Sequence, residues 1–162
     1  MKTTPIHPNH PVPGDVSGLE AHVGFWLRFV SNHVSKRFAA KAAATGVTVA
    51  EWVILREMYD MEVTSPSALA AKTGLTRGAV SKLIERLRAK GLLTRAEAAT
   101  DRRYQDVSLT AAGRGLVPGL AALADENDQQ CFAALAAAER DALVATLKKL
   151  VSANKLNKIP IE

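Results

Sequence analysis

Apolar residues in this chain recur every three or four positions over several long stretches and alternate over one short stretch, so the pattern predicts helices around a single small β-hairpin. The clearest part is Ser65 to Leu109. Its opening, SPSALAAKTGL, reads as a short helix: Ser65 is placed to cap it, and Pro66 takes the first helical position, where a missing N–H costs nothing. Gly74 supplies the left-handed residue that ends it, and Leu75 is expected to plug beneath the turn. Thr76 then caps a second helix whose apolar residues Val80, Leu83, Ile84 and Leu87 fall at offsets of three, four and seven and form one narrow inward stripe. The opposite face carries Gly78, Ser81, Lys82, Glu85 and Arg86, with Arg77 at the leading corner. Gly91 stops this helix, Leu92 and Leu93 begin a strand, Ala98 to Arg102 form a turn, and Tyr104 to Leu109 return with Gln105, Val107 and Leu109 on one face.

Helical patterns flank this segment on both sides. Ser17-x-x-Glu20 has the form of a capping box and predicts a first helix with Leu19, Val23, Trp26, Leu27, Val30 and Val34 at helical spacing, ended by Gly46. The aromatics Phe25, Trp26, Phe29 and Phe38 are expected in the core or at a subunit interface. A second box, Thr48-x-x-Glu51, opens a helix to about Asp60 with Trp52, Leu55 and Tyr59 inward. After the hairpin, a helix from Thr110 into the early 130s contains Pro118, placed to kink it. A last helix from near Ala137 repeats Leu143, Leu147, Leu150 and Val151 on one face, a stripe ready for another helix. Met1 to Asp15 contains Pro5, Pro8, Pro11 and Pro13, which prevent a helix and predict a loosely held arm.

Charge changes this picture from a helical domain to one with a partner. Between Lys72 and Arg103 stand nine Lys and Arg against Glu85, Glu97 and Asp101, a net of +6, while the entire 162-residue chain carries +5. The excess is therefore confined to the helix-turn-helix and hairpin, and the pI near 9.6 favours an acidic partner. An inward stripe beneath a polar, basic face with small residues at its leading end suits a helix lying in a DNA major groove. Composition excludes several classes. Aromatics are only 5%, which argues against single-strand binders that stack bases on rings. The single cysteine excludes an internal disulfide framework, and ENDQQCF around Cys131 offers no cation to stabilise a thiolate, so it reads as a buried or interface thiol. No apolar run approaches a membrane span and no secretory signal is visible, which points to the cytoplasm. His7 and His10 lack a second ligand cluster, so no metal is expected, and no cofactor. Gly113-x-Gly115 begins like a dinucleotide fingerprint, but its third glycine falls at Pro118. No nucleophile–base pair, metal cluster or phosphate loop suggests an enzyme.

The ordered set of motifs resembles the MarR family (multiple antibiotic resistance regulators), winged helix-turn-helix transcription factors. The resemblance is carried by VTVAEWVILREMYD with Thr48, Trp52 and Leu55, by Ala70, Gly74, Val80 and Leu83 in the helix-turn-helix, and above all by DRRYQDVSLTAAGR, and it runs from about Leu19 to Leu150. It implies a mainly α fold with a small β-wing: a lobe over residues 47–110, dimerisation helices over 17–46 and 111–156, and a flexible arm over 1–16. It implies a homodimer that presents two recognition helices to successive major grooves, about 34–36 Å apart on an inverted repeat. The implied DNA contacts are Ser67, Thr76, Arg77, Gly78, Ser81, Lys82 and Arg86 on the helices, and Asp101, Arg102 and Arg103 on the wing. There Arg103 would enter the minor groove with Asp101 holding its guanidinium. Arg114 is a further candidate for a phosphate. Family habit also implies a small aromatic or carboxylate effector, with Phe25, Phe29, Trp52 and Arg56 as candidate liners. The most plausible alternatives are an architectural DNA-binding protein without strong sequence preference and, further off, an enzyme-associated dimerisation module.

Overall fold

The computed structural model describes residues 16–97 and 105–156. The chain divides into two units, residues 1–33 and 34–162. In the first, a single 3-10 turn at Leu19–Ala21 precedes α1 (Val23–Ala43), within which the division falls. The predicted Ser17–Glu20 capping box does not form. The cap position falls on Gly18, which has no side chain to accept an N–H, and His22 is extended (φ −100°, ψ 125°), so the α-helix starts only at Val23. The Glu20 carbonyl instead accepts the Trp26 indole N–H at 2.9 Å. Phe25 packs edge-on to Trp26 at 5.2 Å and tilted to Phe29 at 6.0 Å, yet no described residue of this unit is buried. These aromatics therefore lie outside the core, whereas Phe38, in the other unit, packs edge-on to Trp52 at 6.4 Å.

The second unit holds the buried core. After α1 come α2 (Val49–Tyr59), α3 (Pro66–Thr73), α4 (Arg77–Ala89), β1 (Leu93–Glu97), β2 (Gln105–Leu109), α5 (Ala111–Cys131) and α6 (Ala137–Ala153). The capping box of α2 forms as predicted: the Glu51 N–H donates to Thr48 Oγ1 at 3.3 Å and the Thr48 N–H to Glu51 Oε2 at 2.8 Å. Its inner face differs from the prediction. Glu51, Ile54, Leu55 and Met58 are buried, while Trp52 and Tyr59 are half-buried at the edges. Taking the aromatics as inward rotates the face by one residue, about 100° on a helix. The stripe of α4 is as predicted: Val80, Leu83, Ile84 and Leu87 pack with Leu69 and Ala70 of α3, Leu93 and Val107 of the hairpin, and Val117 and Leu120 of α5.

The strands pair antiparallel, Leu93 with Leu109, Arg95 with Val107 and Glu97 with Gln105. Thr64 adds a one-residue third rung: its N–H donates to the Val107 carbonyl at 3.0 Å, and the Val107 N–H donates back at 2.7 Å. A single bridging residue has no periodicity, so no sequence pattern announces it. The hairpin exit is sewn to the end of α4. Thr110 donates from its hydroxyl to the Gly91 carbonyl at 2.8 Å and from its N–H to the Leu92 carbonyl at 3.1 Å, and its oxygen caps α5 through the Gly113 N–H at 3.0 Å. Gly113 sits so close that a methyl group there would overlap the Leu92 carbonyl. Further along α5, buried Asn127 donates to the Val34 carbonyl at 3.2 Å, and Lys41 pairs with Glu126 at 3.0 Å. Cys131 is half-buried, its thiol 3.9 Å from Asn127 Oδ1. Helix α6 buries nothing, and Val144, Leu147, Leu150 and Val151 are exposed on it. Among the described residues no helix is long and apolar enough to cross a membrane.

Candidate nucleic-acid interface

Local chemistry sets the helix-turn-helix. Ser65 Oγ accepts the Ala68 N–H at 3.1 Å, Pro66 opens α3, and Gly74 closes it at φ +70°, with its N–H on the Ala70 carbonyl at 2.9 Å. Thr73 Oγ1 donates to the Leu69 carbonyl at 2.7 Å, tightening the turn, and Leu75 is half-buried beneath it. Thr76 Oγ1 then accepts the Ala79 N–H at 3.2 Å and α4 begins. With four apolar side chains turned inward, α4 is fixed in rotation, and Arg77, Gly78, Lys82, Glu85 and Arg86 are exposed with Ser81 half-exposed beside them. Gly78 faces open space, so nothing among the described residues requires a glycine there. It leaves the backbone open to close approach from outside.

Which cations are free is decided by folding, not by the count. Lys72 pairs with Glu57 at 2.7 Å, Lys90 with Glu51 at 2.7 Å, and Arg95 and Arg88 with Glu85 at 3.0 and 3.4 Å. Among the described residues, Arg77, Lys82 and Arg86 have no acidic partner. Lys82 and Arg86 thus stand one turn apart on the outer face of α4, with Arg77 at its leading corner.

The Glu51 pair is the buried one. Its carboxylate is 1% exposed and receives Lys90 Nζ, which also donates to the Gly46 carbonyl at 2.7 Å. Burial pushes the carboxyl up, but the hydrogen bond from Lys90, the Thr48 backbone N–H, the lysine charge and the Thr48 hydroxyl together outweigh it and hold Glu51 below the ordinary 4.5. Since Lys90 is the C-cap of α4, the pair ties the end of that helix to the first turn of α2, and the Gly46 bond ties it to the loop before. The sequence offered no signal for it.

The remaining predicted site residues separate. Ser67 is exposed in the first turn of α3. Asp101, Arg102 and Arg103, like the arm over 1–15, lie outside the described residues. Phe25 and Phe29 belong to residues 1–33, and Trp52 and Arg56 to residues 34–162. Arg56 pairs with Asp60 at 2.8 Å, raising the guanidinium's pKa and lowering the carboxyl's, and lies 5.9 Å from the Tyr59 ring centre. Arg114, the further phosphate candidate, is exposed in the first turn of α5 and is also bonded within the chain. It donates to the Tyr59 and Met61 carbonyls at 2.7 and 3.0 Å and stacks over the Tyr59 ring at 5.6 Å, clamping α5 to the end of α2. Among the described residues no group of three or more His, Cys, Asp or Glu could hold a metal ion.

Comparison with known proteins places this arrangement. The MarR family profile matches residues 45–103. The chain is 30% identical to Bordetella bronchiseptica BpsR, a protein whose DNA binding is regulated by 6-hydroxynicotinic acid, over 84% of this chain and 97% of that one, with a TM-score of 0.74. It is 27% identical to the transcriptional repressor NicR of Pseudomonas putida over 95% of this chain and 96% of NicR. Staphylococcus aureus MepR, solved with DNA, is alike in fold: 24% identity, 82% and 98% coverage, TM-score 0.73.

Proposed function

The chain belongs to the MarR family of transcription regulators, and from that premise we propose that it is a homodimeric, ligand-responsive repressor of an inverted-repeat operator. The observation that carries this reading is the group of unpaired cations on α4, Arg77, Lys82 and Arg86, beside the open backbone of Gly78. In this reading Thr76, Arg77, Gly78 and Ser81, at the leading end of α4, meet base edges in the major groove. Lys82 and Arg86 follow along the groove, and Ser67 meets phosphate at the start of α3, where the helix terminus favours an anion. Asp101, Arg102 and Arg103 of the wing serve the adjacent minor groove, with Asp101 orienting Arg103.

Two copies are needed because one module binds weakly, and the exposed stripe of Val144, Leu147, Leu150 and Val151 on α6 needs a cover. A second copy supplies the same stripe about a twofold axis. The effector is a small aromatic acid, a class suggested by the likeness to BpsR. It acts by favouring a dimer whose recognition helices are wrongly spaced. Phe25, Phe29, Trp52 and Arg56 are tested for it one at a time. Selection of bound duplexes from a random pool, followed by titration of the selected and a scrambled duplex with and without 6-hydroxynicotinic acid, tests the whole reading. An inverted repeat released by the acid is the expected result. Equal affinity for both duplexes indicates a coater of DNA instead.

A further inference from the structure

An acid on a DNA-binding face calls for a reason, because it repels the ligand. Glu85 is such an acid: its side chain is 47% exposed, on the same outer helix face as Lys82 and Arg86. Its Oε1 accepts from Arg95 Nη1 on β1 at 3.0 Å, and its Oε2 lies 3.4 Å from Arg88 Nη2 on α4 itself. One carboxylate therefore occupies two guanidiniums from two elements. Exposed pairs of this kind contribute little to stability, so stability is a poor account of it.

The wing gives a better one. Strand β1 is buried only at Leu93, and Thr94 to Glu97 are exposed. A two-stranded hairpin is marginal without further support, and Arg95, two residues beyond the last buried position, links this strand back to the recognition helix through Glu85. We infer that Glu85 is a specificity-determining positioning residue: it sets the wing against α4 and withholds Arg88 and Arg95 from phosphates of arbitrary sequence. The inference rests on the duplex-binding reading above. Without the carboxylate, both guanidiniums join Arg77, Lys82 and Arg86 as free charge, so attraction to any DNA grows. Meanwhile the spacing between the helix and wing contacts loosens, and the preferred sequence gains nothing.

The experiment compares the full chain with two variants by fluorescence anisotropy, at several salt concentrations. The probes are a duplex selected by the wild-type protein from a random pool and a scrambled duplex of the same composition. Glu85→Gln is expected to bind the scrambled duplex about three- to ten-fold more tightly, with a salt slope steeper by about 0.9 per released guanidinium, and so to lose about three- to ten-fold in preference. The exchange Glu85→Arg with Arg95→Glu rebuilds only the α4–β1 link at unchanged net charge, leaving Arg88 without its carboxylate, and is expected to recover part of the wild-type preference while keeping a steeper salt slope than wild type. Unchanged preference and salt slope in Glu85→Gln would overturn the inference. So would equal weakening on both duplexes with a lowered melting temperature, the mark of a structural residue. A wild-type protein that itself shows no preference removes the operator reading first, a different outcome from either of these.

Discussion

At the scale of single residues, two positions hold the lobe in ways that experiment can separate. Glu51 is a buried carboxylate whose folded pKa lies below the ordinary 4.5, so its contribution is complete above about pH 4.5 and is lost as the pH falls through the lower folded value. Glu51→Gln is expected to lower unfolding free energy at neutral pH by roughly 1.5–3 kcal/mol, as for other hydrogen bonds to charged groups, and to flatten the acid limb of stability. Urea titrations across the acid range check both; an unchanged acid limb would mean that another group controls it. Gly113 makes a different demand. Its hydrogen stands where a methyl group would overlap the Leu92 carbonyl, and backbone on both sides leaves nothing flexible to move. Gly113→Ala is expected to destabilise the fold by about 1–3 kcal/mol or more, read as a lower melting temperature, although alanine is the better helix former.

At the scale of elements, the proposed docking divides the work of recognition between α4 and the wing. Arg86→Ala should relax sequence preference if Arg86 reads a base, or reduce the salt slope by about 0.9 if it meets a phosphate. Arg103→Ala should weaken operator binding by roughly 1–3 kcal/mol, the value of one good contact. Titrations over a salt series distinguish these outcomes, and a variant at either position that binds like wild type contradicts the docking. These elements were legible in the sequence because their signals are local. Ser65, Pro66, Gly74 and Thr76 each impose their own backbone geometry, and the offsets of Val80, Leu83, Ile84 and Leu87 fix the rotation of α4. Signals that depend on distant partners were not legible. The Ser17–Glu20 pattern looked like a cap but lacked the backbone for one. The face of α2 was turned one residue because Ile54 and Met58, not the larger Trp52, fill the core. Net charge could not show that Glu57, Glu51 and Glu85 silence Lys72, Lys90, Arg88 and Arg95, since most of those pairings join different elements. The clamp made by Arg114 was not legible either, because its two carbonyl partners lie at the far end of α2.

At the scale of the whole molecule, the buried core runs from Ala42 to Leu120, and the last helix adds no buried residue to it. A long helix that buries nothing within its own chain is what the proposed second copy would cover. Leu150 is 43% exposed in the middle of the α6 stripe, and Leu150→Glu would place a charge in the apolar seam of the proposed dimer. That variant is expected to shift the protein toward monomer in sedimentation equilibrium and to lose the avidity of two linked modules on an inverted repeat, while a single half-site binds about as before. The most direct test of the account is the stoichiometry and salt dependence of the wild-type protein on its selected duplex. Two protomers per inverted repeat, with log affinity falling by about 0.9 per neutralised phosphate against log salt, is the predicted result. One protomer per duplex, or an affinity indifferent to salt, would contradict it.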